Sequence, residues 1–102
     1  MPITEAEIKE LWEKCGLVYK EPCWFTEDGA LAFYGGTYGE LLASVNLNNL
    51  FKYAVPKLEH CLLTTDVGKY RAEASLHGTW YEYSDDPATA LFRAIQQVFK
   101  GG

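Results

Sequence analysis

Basic side chains are scarce in this sequence: nine Lys and Arg stand against fourteen Asp and Glu, for a formal charge of −5 at pH 7. That shortage argues against duplex DNA or RNA as a partner, because such binding is dominated by cationic contacts to phosphate. It argues equally against an anionic membrane surface. Long apolar runs are missing too, and none approaches the length of a membrane span. No basic start leads into an apolar segment of the secretory type. Cysteine is sparse and odd in number. Cys15, Cys23 and Cys61 form no CxxC pair, which excludes a secreted disulfide framework and favours a soluble, reduced, cytoplasmic protein. Joining His60 to these cysteines gives no pair with zinc-ligand spacing, so no metal is expected. Neither His60 nor His77 has an evident carboxylate to orient it, and no paired-carboxylate pattern stands above background. The expectation is a protein that is not an enzyme and takes no cofactor.

Aromatic residues, by contrast, are abundant. Three Trp, seven Tyr and five Phe make up 15% of 102 residues. A chain of this length supports one domain with one core, and that many rings exceed what such a core needs. Some are expected at the surface, where Tyr and Trp combine apolar area with a polar handle.

The first element is read from Thr4, Glu5, Ala6 and Glu7, a capping box in which hydroxyl and carboxylate each satisfy an orphan amide. Ile3 and Ile8 form the matching hydrophobic staple. Ile8, Leu11, Trp12 and Cys15 share one helical face, and Gly16 followed by Leu17 reads as a Schellman ending. This predicts a helix over about residues 5–15. Leu17 to Lys20 and Pro22 to Thr26 read as extended, Glu27-Asp28-Gly29 as a turn, and Ala30 to Tyr34 as strand. Residues 37–45 have no clean period. Leu47, Leu50, Phe51, Ala54 and Leu58 recur at helical spacing, with Asn46 or Asn48 as cap and Pro56 ending the helix near Ala54. Cys61 to Thr65 reads as strand and Asp66-Val67-Gly68 as a turn. Tyr70, Ala72, Ala74 and Leu76 alternate with Arg71, Glu73, Ser75 and His77, which predicts a strand with one apolar and one wet face. Thr79 to Tyr83 is a further strand. Asp86 as N-cap and Pro87 at N1 open a last helix with Leu91, Ala94, Ile95 and Val98 as its buried stripe. The fold class predicted is α+β, a mostly antiparallel sheet packed between helices in the rough order α-β-β-α-β-β-β-α, within a single domain over 1–102.

Three stretches carry a family likeness: Lys69 to Ala74, Trp80 to Tyr83, and Asp86 to Ala94 with its Arg93-Ala94 step. Together they resemble the ending of the phage ABA sandwich domain family, small phage and prophage proteins. The Trp24 to Gly29 segment and the middle helix are similar in order and spacing. The resemblance implies a helix/sheet/helix sandwich and a phage or prophage origin, and brings no catalytic motif with it. Helix, three strands, helix is also the order of the double-stranded-RNA-binding domain. There, however, a Lys-rich helix start meets phosphate, whereas here Asp85 and Asp86 would repel it.

Candidate binding residues follow from chemistry. In the segment Phe33 to Gly39, Gly35 and Gly36 allow close approach to the backbone, and Tyr34 and Tyr38 could stack on what approaches; the bland alternative is a turn with its aromatics folded on the core. Trp80 with Glu82 and Tyr81 with Tyr83 lie on opposite faces of an aromatic strand, whose rings could meet a partner; the bland alternative is that one set is core and the other merely surface. Arg71 could meet an anionic group or form an ion pair with Glu73, in company with His77. The function expected is a non-catalytic phage-type binding protein acting in the cytoplasm of the host cell. Its partner is a host protein or a small nucleotide-like signalling ligand, with no nucleic acid or membrane; self-association is compatible with this. The alternatives are a structural or assembly accessory of the phage particle and, after it, a small enzyme whose site is assembled from scattered residues.

Overall fold

The computed structural model describes residues 2–101. Its architecture is α+β, with four helices and two three-stranded antiparallel sheets. The chain divides into two compact units, one ending at Val45 and the other beginning at Asn46.

In the first unit, helix α1 spans Glu5–Lys14. It begins where the sequence predicts: the Glu7 amide donates to Thr4 Oγ1 at 3.2 Å and the Thr4 amide to Glu7 Oε1 at 3.0 Å. It ends as a Schellman motif. Leu17 N–H donates to Trp12 O and Gly16 N–H to Glu13 O, both at 3.0 Å, with Gly16 at φ +91° where a side chain would be strained. Thr4→Ala should therefore cost about 1 kcal/mol, read as a lower urea midpoint at unchanged slope.

Strands β1 (Val18–Lys20), β2 (Cys23–Phe25) and β3 (Leu31–Tyr34) follow. The expected hairpin thus gains a third strand at its front. Register sets Tyr19 opposite Trp24 and Trp24 opposite Phe33 on one face. One of those rings, Phe33, meets Trp12 of α1 with centroids 5.0 Å apart, and Tyr19 and Trp24 lie 5.2 Å and Trp24 and Phe33 6.4 Å apart, within the range where tilted ring pairs attract. The turn between β2 and β3 is tied by Thr26, whose hydroxyl donates to Asp28. That bond, aided by the Ala30 backbone, holds the Asp28 carboxyl below its ordinary range. A lowered folded-state pKa means the tie operates above the unfolded pKa and is lost as pH falls through the folded value. In Thr26→Val the Asp28 carbon resonance should titrate at higher pH than in the unsubstituted protein.

Residues 38–44, without a clear period in sequence, form helix α2 (Tyr38–Ser44), started by a second capping box between Thr37 and Glu40. Leu41 and Ser44 face inward, and the buried Trp12 indole donates to Ser44 Oγ at 3.0 Å.

The second unit opens with a short helix, α3 (Leu47–Asn49), capped by Asn46. It widens into a π turn over Leu50–Ala54 and tightens into a 3₁₀ turn over Val55–Lys57 that contains Pro56. Leu50 and Ala54 are buried while Phe51 is exposed. The apolar stripe is therefore narrower than its sequence, because the π turn changes the helical phase. Strands β4 (His60–Asp66), β5 (Lys69–Ser75) and β6 (Thr79–Ser84) form the second sheet. Helix α4 (Pro87–Gly101) packs on β5 and β6. The Asp86 carboxylate accepts from the Thr89 amide at 2.8 Å. Ala72 and Ala74 on β5 are fully buried, as are Leu91, Phe92, Ala94 and Ile95 on α4. Small residues on the strand let the helix backbone approach the sheet, and the larger helix side chains fill the layer between them.

Candidate binding surface

Alternation divides the second sheet into two chemically distinct faces. Ala72 and Ala74 point toward α4, so Arg71 and Glu73 point the other way. Register places Thr64 and Tyr83 opposite Arg71, and Leu62 and Tyr81 opposite Glu73. The face away from α4 therefore carries Leu62, Arg71, Glu73, Tyr81 and Tyr83, with His60 at its end. Tyr81 and Tyr83 remain 48% and 54% exposed.

This face is internally organised. The Arg71 guanidinium carbon lies 4.4 Å from the centroid of the Tyr81 ring, a cation–π geometry. Glu73 holds two neighbours with its two oxygens: Arg71 Nη2 at 3.5 Å and His60 Nε2 at 3.0 Å. Arg71 and Glu73 are both largely shielded on this face, whereas the His60 ring is half exposed. A guanidinium stacked on one ring and tethered by one carboxylate has lost much of its rotamer freedom before any partner arrives.

The sequence-derived candidates fall as follows. Arg71 and Tyr81 are brought together. Trp80 faces the other side of the strand, opposite Ala74, and is 43% exposed at the helix-covered face. His77 lies in the turn after β5; the histidine that joins Glu73 is His60. His60, Leu62 and Tyr83 were legible only through the β4–β5–β6 register, which no single strand pattern contains.

Tyr34, Gly35, Gly36 and Tyr38 belong to the first unit. Tyr34 is exposed at the end of β3. Tyr38 opens α2, and its hydroxyl donates to Ile3 O at 2.6 Å. The approach that the glycines permit is made by the chain itself. A Cβ on Gly35 would lie 2.6 Å from Trp24 Cδ1 and Nε1, and one on Gly36 would lie 3.0 Å from Pro22 Cβ. Along α1, a shallow depression is lined by Ala6, Lys9, Glu10, Glu13 and Lys14. Lys9 pairs with Glu5 and Lys14 with Glu10 at helical i,i+4 spacing, as on a solvated helix surface.

Among the described residues no group of three or more His, Cys, Asp or Glu is placed to hold a metal ion. Burial pushes the Cys61 thiol up, which suppresses the thiolate needed for nucleophilic or redox chemistry. Among the described residues no helix is long and apolar enough to cross a membrane. No family model matches the chain, and neither a curated protein nor a solved structure matches it.

Proposed function

We propose that this chain is a non-catalytic binding module that occupies a protein of the host, using the face of the second sheet that carries Leu62, Arg71, Tyr81 and Tyr83. The observation that carries the reading is the Arg71–Tyr81 stack at 4.4 Å on a face with two half-exposed tyrosines. Tyr and Arg are the residue types most often found where binding energy concentrates. Stacking and the Glu73 tether reduce the ordering cost of using them. A sheet face is broad rather than concave, which suits a protein surface better than a small ligand needing enclosure. The complementary surface offers a carboxylate or carbonyl to Arg71 and apolar atoms to Tyr81, Tyr83 and Leu62. The resemblance to phage ABA sandwich proteins supports a phage or prophage origin, and with it a role in blocking a host factor.

The test is affinity capture from bacterial lysate with mass spectrometry of both proteins and small molecules, followed by titration of the captured species. A protein captured by the unsubstituted chain should bind Tyr81→Ala and Arg71→Ala at least about tenfold more weakly, roughly 1.4 kcal/mol, while both variants keep their melting temperatures. Capture of a nucleotide-like small molecule in place of a protein, or undiminished binding by both variants, would overturn the assignment.

A further inference from the structure

We infer that strand β6 is a self-association edge, pairing antiparallel with β6 of a second copy of this chain. This inference does not depend on what binds the open face.

β6 is hydrogen-bonded to β5 alone among the described strands, so its outer side presents a row of backbone donors and acceptors. Edge strands that must stay single are blunted by shortness, Lys, Pro or a bulge. The first sheet uses such devices. Its edge strand β1 is three residues long and ends in Lys20, and the pairing of its other edge, β3, is interrupted by a register shift between Trp24 and Phe25. β6 has none of these, and its one charged residue is Glu82. Its six residues, Thr79 to Ser84, include no Lys, Arg, Pro or Gly, and its pairing with β5 runs unbroken from Thr79 to Ser84. Trp80, Tyr81 and Tyr83 are each 43–54% exposed, and the strand is rich in residues of high β propensity.

The strand's own pattern selects a second copy and a register. A two-fold axis normal to the sheet reverses strand direction and keeps each face on its own side. Residues opposite one another must then both come from Thr79, Tyr81 and Tyr83, or both from Trp80, Glu82 and Ser84. Two well-overlapped registers satisfy this. One, centred on Glu82, sets two carboxylates directly opposite at Cβ separations of about 4.5–5.5 Å, which is repulsive. The other, centred on Tyr81, sets Tyr81 against Tyr81, Thr79 against Tyr83, and Trp80 against Glu82. It separates the only charges on the strand and lays each carboxylate beside an indole, whose N–H edge is positive. On the open face the two Arg71–Tyr81 stacks become neighbours across the axis. The product is a continuous six-stranded sheet.

The interface is small, so a weak dimer is expected, with a dissociation constant on the order of 100 µM. Sedimentation equilibrium from about 10 µM to about 1 mM reads it. Tyr81→Lys, which sets two ammonium groups opposite each other, should weaken the dimer at least tenfold with its circular dichroism unchanged. Cross-linking fixes the register whatever the behaviour of that variant. Under mild oxidation Tyr81→Cys should link to itself, since opposed strand positions fall within the roughly 4.4–6.8 Å Cα spacing of a disulfide. Tyr83→Cys should not. Peptide mass spectrometry separates the new link from Cys15, Cys23 and Cys61. A monomer throughout the range, or a dimer that links through Tyr83→Cys or through Leu63→Cys on β4 instead, would overturn the inference.

Discussion

Gly35→Ala should lower the unfolding free energy by about 3 kcal/mol, at the upper end of what overpacking costs. The added methyl would lie 2.6 Å from two atoms of the Trp24 ring and 3.1 Å from Leu41 Cδ2. Trp24 is 1% exposed and Leu41 fully buried, so neither has solvent to retreat into, and the ring is held between Tyr19 and Phe33. The cause is separable. Replacing Trp24 by Leu vacates the space, so the double variant should show a coupling energy of about 1 kcal/mol or more in a urea-melt cycle. Gly39 provides the contrast. It sits inside α2, and a Cβ there meets nothing closer than Thr37 Oγ1 at 4.0 Å, so Gly39→Ala should be neutral or stabilising by up to about 1 kcal/mol. A Gly35→Ala protein of normal stability that had lost its partner would instead mark this segment as the binding site.

Trp12→Ala should cost about 3–5 kcal/mol, the usual loss for a large buried aromatic. The indole is fully buried, packs against Phe33 in a tilted pair at 5.0 Å, and donates to Ser44 on α2. One side chain thus links the first helix to a strand and to the second helix. Trp12→Phe keeps most of the ring and removes the donor. It should cost about 1–2 kcal/mol, for the lost buried hydrogen bond and the smaller ring. Equal losses in the two variants would show that the hydrogen bond, rather than the packing, carries the effect.

These expectations differ in how far they could be read from sequence. Local chemistry settled the ends of α1 and α4, because a capping box, a Schellman glycine and an Asp before Pro act within a few residues. It settled the two faces of β5 for the same reason, since alternation is a property of one strand. Residues 38–44 show no period because only Leu41 and Ser44 face the core, too few positions in seven residues; the signal that marks this helix is its start, since Thr37 and Glu40 repeat the capping-box spacing of Thr4 and Glu7. Phe51 fell on an apolar stripe in sequence and outside it in structure, because a π turn alters the phase that the stripe assumes.

The candidate surface shows the same division. Arg71 and Tyr81 could be singled out by residue type, but their stacking depends on which strand lies beside which and in what register. The pairing of Glu73 with His60, rather than with the nearer His77, depends on β4 returning alongside β5. The sequence by itself determined α1, α4 and the strands, the caps of those two helices, the α+β class and the chemistry available on each strand, since these follow from contacts within one turn or one strand. Only tertiary structure decided that the strands form two sheets, that Gly35 makes room for Trp24, and that Arg71 lies over a tyrosine. Those arrangements depend on pairings between segments distant in the chain, and residue spacing encodes them only through the packing of the whole.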